Sequence, residues 1–219
     1  MIRFIMLLIT VLSLKTFSQN QNMESFEGII IYENNFQSKI DSISDEHFEN
    51  AYGKQTKYII AKNGDYINLY KGSYITIQLF KKIEDRVYTL LNNRDTIFYN
   101  MVTEKRGSIS KLKTIRNSEE VLGKSCNELS FVTENSKYHY FYNDEYFIDS
   151  NLYSNHYLGS WDEIVKTTKS FPMKVILENK HFIMTSTAVS IKKGAVNKKL
   201  FTLPPNISIS KSKENLFIK

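Results

Sequence analysis

Cys126 is the single cysteine of the chain and the first side chain to weigh as a nucleophile, because catalytic partners need not be its neighbours in sequence. Its surroundings argue for another use. It lies in the run 125–133, whose residues alternate as a strand does, and a buried free cysteine behaves as a small hydrophobe. The histidines His47, His139, His156 and His181 are far apart and show no paired metal-ligand spacing. They read as structural or surface residues, with His139 half buried in an aromatic strand. Gly123-Lys124-Ser125 copies the end of a phosphate-binding loop, but Ser118 stands where the earlier glycine belongs, and a strand rather than a helix follows. There is no Gly-x-Ser-x-Gly elbow and no acidic pair marked as glycosidase-like. The expectation is no catalytic residue, no metal and no cofactor. An enzyme would need ionisable groups gathered into one cleft by the fold.

The aromatic residues are the other chemical resource. Fourteen tyrosines, fourteen phenylalanines and one tryptophan make up 13% of the chain, which suits an apolar cavity for a lipid or a carbohydrate as well as ordinary strand composition. Alternation picks out Tyr66, Tyr70, Ile75, Ile77, Tyr138, Tyr140, Val175, Leu177 and Met184 as candidate lining residues, without fixing which sheet face is concave. Tyrosine hydroxyls near the rim would orient a ligand's head group.

These side chains need strands to position them. The run 28–33 is β-branched and apolar, and 41–52 offers Ser44 as an N-cap with early acidic residues for one short helix. Asn63-Gly64 is a two-residue hairpin signal between 57–61 and 66–70. In 74–80, Ile75, Ile77 and Leu79 share one face, and Tyr74, Thr76, Gln78 and Phe80 the other. Runs 86–91 and 96–99 flank another turn, and 107–117 holds a weaker strand at 112–115. Runs 125–133 and 137–142 pair next, with Tyr138, Tyr140 and Tyr142 on one face. Alternation fails over 144–169, a long excursion with a helical turn or two at 161–165, and a hairpin follows from 171 to 191. Roughly nine or ten strands in sequence predict a meandering antiparallel sheet. Several strands are apolar on both faces, so a curved sheet folded over its own interior is expected.

The first residues bear on address. Arg3, an apolar run over 4–14, Lys15 and Thr16-Phe17-Ser18 predict a signal peptide over 1–18, leaving 19–219 as a single β-rich domain. About eleven apolar residues fall short of the roughly 20 a spanning helix needs. No cysteine follows the leader to carry a lipid anchor, and the later single cysteine cannot pair within the chain. Net charge is +6, from 29 basic and 23 acidic residues, well short of a nucleic-acid footprint. Lysines 192, 193, 198, 199, 211 and 213 gather late in the chain, as a solvated face or a contact for an anionic membrane surface.

The order of features resembles exported proteins of Bacteroidota whose domains look like the periplasmic lipoprotein-carrier (LolA/LolB-like) fold. The residues that carry it are Phe17-Ser18-Gln19, Phe26-Glu27-Gly28-Ile29-Ile30-Ile31-Tyr32, Leu122-Gly123-Lys124-Ser125-Cys126, Phe171-Pro172-Met173, Met184-Thr185-Ser186-Thr187 and Leu200-Phe201-Thr202-Leu203-Pro204. Relatives usually carry Gly-Leu-Pro where this chain has Ser170-Phe171-Pro172. The resemblance implies a mainly β (α+β) half-barrel, a strongly curved antiparallel sheet with a few short helices. It also implies an apolar cavity able to hold acyl chains without catalysis. The expected role is that of a non-enzymatic protein of the periplasm or cell envelope binding a lipid, a lipidated protein or another apolar ligand. The alternative is a structural or partner-binding exported module with a closed core, holding another envelope protein.

Overall fold

The computed structural model describes residues 24–104 and 108–213. The expected signal peptide, 1–18, lies outside the described residues.

The described chain is mainly β. In order it forms β1 (Gly28–Ser38), α1 (Asp45–Tyr52), β2 (Gln55–Ile60), β3 (Tyr66–Tyr70), β4 (Ile75–Lys81), β5 (Arg86–Leu91) and β6 (Thr96–Met101). A second set follows: β7 (Ser110–Val121), β8 (Lys124–Val132), β9 (Ser136–Phe147), α2 (Trp161–Thr168), β10 (Ser170–Asn179), β11 (Phe182–Lys193) and β12 (Ser208–Lys211). All twelve described strands belong to one open sheet of order β12-β6-β5-β4-β3-β2-β1-β11-β10-β9-β8-β7. Sequential neighbours pair antiparallel, as a meander predicts, and the one parallel pair is β12 on β6. The strand count exceeds the expected nine or ten: 208–211 docks on β6 as a further strand, and the weak strand expected at 112–115 is the middle of a twelve-residue edge strand.

Local chemistry explains the corners. Ser44 caps α1 by accepting from the His47 amide, and Asp45 and Glu46 sit at the positive end of the helix. Gly53, at φ 88°, ends it. In the β2–β3 turn the Asn63 carboxamide accepts from the Asp65 amide at 3.1 Å while Gly64 takes φ 92°. Leu122 and Gly123 both have positive φ, at 52° and 70°, as a two-residue hairpin requires. Gly123-Lys124-Ser125 is thus the β7–β8 turn and the start of a strand.

Both faces of the β2–β6 half are covered, which is why its strands are apolar on both sides. On one face Tyr58, Tyr66 and Phe80 pack beneath Tyr153 and Leu158 of the 148–160 excursion. On the other, Ile59, Ile67, Leu79 and Ile97 pack with Phe201, Leu203 and Ile207 of the C-terminal segment. Phe48 of α1 meets Phe36 and Phe182. The edge strand β7 exposes most of its length and carries Lys111, Lys113 and Arg116, charges that discourage further strand pairing.

Gly28 opens β1 where the strand meets β11. A Cβ there would stand 2.2 Å from the Lys192 carbonyl oxygen and 2.8 Å from Phe26 Cζ. Overpacking of this kind typically costs about 1–3 kcal/mol. Gly28→Ala is therefore expected to lower the unfolding free energy extrapolated from urea titration by about 2 kcal/mol, with the midpoint falling at unchanged slope. A variant as stable as the parent would show that the strands separate freely here.

Candidate functional site

One cavity, of about 260 Å³, collects side chains from both halves of the sheet. Tyr32 and Asn34 come from β1, Thr56 and Tyr58 from β2, Tyr66, Asn68 and Tyr70 from β3, and Gln78 from β4. Tyr138 and Tyr140 of β9, Pro172, Val175 and Leu177 of β10, and Met184 and Ser186 of β11 face them. His156, Leu158, Gly159 and Trp161 close the space from the excursion, and Tyr52 of α1 reaches it as well.

Exposure separates floor from mouth. Tyr32, Asn34, Thr56, Tyr58, Tyr66, Gln78, His156 and Leu158 are buried, and Tyr70, Tyr138, Tyr140, Val175, Met184 and Trp161 are partly exposed. The floor is a polar network that extends to the partly exposed Tyr70. Tyr66 Oη lies 2.9 Å from His156 Nε2, and the Tyr32 hydroxyl donates to the Pro172 carbonyl at 2.5 Å. Asn34 Nδ2 donates to Gly53 O at 3.0 Å and Thr56 Oγ1 at 2.9 Å, and the Tyr70 hydroxyl donates to Gln78 Oε1 at 2.8 Å. The mouth is more apolar, with Tyr138 and Tyr140 stacked on each other at a centroid separation of 6.0 Å and backed by the buried Phe131 of β8. Of the tyrosine hydroxyls expected near the rim, that of Tyr66 lies at the floor instead, where it meets His156.

The lining contains no Asp, Glu, Lys or Arg. Burial raises the phenols of Tyr32, Tyr58, Tyr66, Tyr70, Tyr138 and Tyr140, so all stay protonated. Burial pushes the His156 imidazole down to about 4, opposed by main-chain groups of His156 and Leu158. His156 is 2% exposed and neutral at pH 7. The cavity is therefore uncharged throughout. It can hydrogen-bond and make aromatic contact, and it has neither a charged acid–base pair nor a low-pKa nucleophile.

Seven of the nine residues picked out by alternation meet here: Tyr66, Tyr70, Tyr138, Tyr140, Val175, Leu177 and Met184. Ile75 and Ile77 do not. Register is the reason: Tyr66 lies opposite Phe80 and Asn68 opposite Gln78, whereas Leu69 lies opposite Ile77. Directly opposed residues share a face, so Ile77 packs with Ile67 and Leu79 on the far side. Ile75 is 1% exposed, next to a bulge in the β4–β5 pairing, and does not line the cavity. Asn68 was legible from its place between Tyr66 and Tyr70, and Gln78 from the same hairpin. His156 and Trp161 lie where alternation fails, and no periodic signal marks them.

The other reactive side chains lie elsewhere. Cys126 is buried with Sγ 3.7 Å from Met173 Sδ, and burial raises its thiol pKa. This is a core cysteine in an apolar cluster. His139 Nδ1 lies 2.8 Å from Glu128 Oε1 on a partly exposed strand face. Among the described residues no three His, Cys, Asp or Glu side chains gather as metal ligands.

No family model and no curated protein matches the chain. Among solved structures it is similar to PNGF-II in two crystal forms. One has a TM-score of 0.47 at 14% identity, over 86% of this chain and 32% of that one. The other has 0.41 at 15%, over 84% and 31%. It is also similar to MucB, with a TM-score of 0.34 at 10% identity, over 86% of this chain and 60% of that one. The chain thus spans about a third of the length of PNGF-II.

His156 ties the site to pH. Its native pKa, about 4, lies below the ordinary 6.5, so protonation favours the unfolded chain. The neutral ring's contribution is whole above pH 6.5 and is lost as pH falls toward 4. The interval corresponds to about 3 kcal/mol. His156→Gln is expected to flatten the stability profile across that window in urea titrations at stepped pH. Parallel profiles for parent and variant would place the titration elsewhere.

Proposed function

We propose that this chain is a non-enzymatic exported protein of the periplasm or cell envelope. It holds a lipid, a lipidated chain or another apolar ligand in a half-barrel, a strongly curved sheet with the cavity on its concave face. One observation carries the reading: side chains from β1–β4 and from β9–β11, seven adjacent strands in the middle of one open sheet, converge on a single uncharged, aromatic-rich space. Ligand sites are concave, largely apolar and furnished with a few placed polar groups, and this lining has that make-up. Val175, Leu177, Met184 and the stacked Tyr138 and Tyr140 would cover methylenes, at about 0.8 kcal/mol for each one buried.

Around 260 Å³ equals roughly nine liquid-water volumes. A long chain would therefore lie partly in the mouth. The exposed Leu200 beside Lys198 and Lys199 would suit contact with an anionic membrane during loading. The second reading, a partner-binding module, is favoured by the exposed edge of β7, where Leu112 and Ile115 stand among lysines.

Native mass spectrometry of the mature protein from a bacterial periplasm, followed by organic extraction, tests the proposal. A stoichiometric lipid is expected. Val175→Trp, which fills the space from the mouth, should abolish co-purification while leaving the circular dichroism unchanged. A clean apo mass that stays unchanged with added acyl lipids would end the ligand reading in favour of the partner-binding one.

A further inference from the structure

The cavity is small for a lipid site. Its volume, about 260 Å³, falls below the roughly 300–1,000 Å³ of pockets that enclose drug-sized ligands. A methylene fills about the volume of one water in the liquid, roughly 30 Å³, so the space takes about nine carbons and leaves no room for a second chain. Its floor is already bonded to itself. Tyr66 meets His156, the Tyr32 hydroxyl donates to the Pro172 carbonyl, and Asn34 Nδ2 donates to both Gly53 O and Thr56 Oγ1. An apolar chain end laid against these groups takes no partner away from them. An ion there would lack a counter-charge, since no Asp, Glu, Lys or Arg lines the cavity. Ser186 of β11 stands in the wall opposite Val175 on one side and Asn34 on the other, midway between mouth and floor.

Resting on the ligand-binding reading above, we propose that the site selects one alkyl chain of about eight to ten carbons, inserted methyl end first. Whatever the chain is attached to stays at the mouth. Length is selected because each methylene inside the cavity leaves water, whereas those beyond about the ninth remain largely in it.

Isothermal calorimetry of the delipidated protein with the straight-chain primary alcohols from hexanol to dodecanol tests this. One alcohol per protein is expected, with the dissociation constant falling about fourfold for each added methylene up to about nonanol. Beyond that the change should be less than about twofold per carbon. Fourfold steps that continue to dodecanol, or two alcohols bound at once, would overturn the length limit and leave the ligand reading in place. Absence of binding by every alcohol would overturn both. Two variants move the break in opposite directions. Ser186→Leu narrows the wall and should shift it about two carbons shorter, and Tyr58→Leu opens the floor and should shift it about three carbons longer. A break that stays in place in variants whose circular dichroism matches the parent's would overturn the placement of the chain in this cavity.

Discussion

The pairing of β1 with β11 is the contact on which the rest of the molecule depends. Every other antiparallel neighbour pair in the sheet is consecutive in sequence, so each could form locally. Among the strand pairings only this seam joins the β1–β6 meander to the β7–β11 meander, and it runs from Ser38 opposite Phe182 to Gly28 opposite Lys193. The entropy of closing so long a loop grows only logarithmically, about 0.6 kcal/mol per doubling. What opposes it is the continuous burial of Ile30, Tyr32 and Ala188 in the largest apolar cluster. Across the seam the Tyr32 hydroxyl reaches the Pro172 carbonyl of β10. The cavity takes its walls from both meanders, so it exists only once this pairing has formed.

The seam also explains why the floor is polar. Where the two meanders meet, residues of β1–β4 face main chain and rings from the excursion, and each buried polar group must find a partner or destabilise the fold. Asn34 finds Gly53 and Thr56, Tyr66 finds His156, and Tyr70 finds Gln78. Tyrosine suits this place because one ring supplies apolar area while its hydroxyl closes a network.

Strand existence, the hairpin corners and the α1 cap were readable in the sequence because they rest on local chemistry: alternation, Asn-Gly, and Ser44 before an acidic pair. The face assignment was readable within each strand but not between strands. Tyr66 and Ile77 could both be placed in one lining only while the β3–β4 register was unknown, and that register sets them on opposite faces. His156 and Trp161 were invisible for a different reason. Their placement is tertiary, fixed by how the 148–161 excursion folds back over Tyr66 and Phe80, and no periodicity passes through that segment. The edge strand β7 was underestimated because its exposed, charged pattern resembles a loop, and only its pairing with β8 makes it a strand.

A cavity built this way should bind with little rearrangement. Its walls are strands held on both sides by neighbours, and its polar groups are mostly fixed by one another, so a ligand does not have to order them. Trp161 is the exception, since it opens the short helix α2 at the end of the excursion. That helix is anchored by Ile164 and Val165 in the core and by the Thr168 hydroxyl, which donates to Ile164 O at 2.9 Å. Ahead of the helix Gly159 and Ser160 both take left-handed conformations, which turn the chain from the excursion into α2 and set the Trp161 ring against Tyr153.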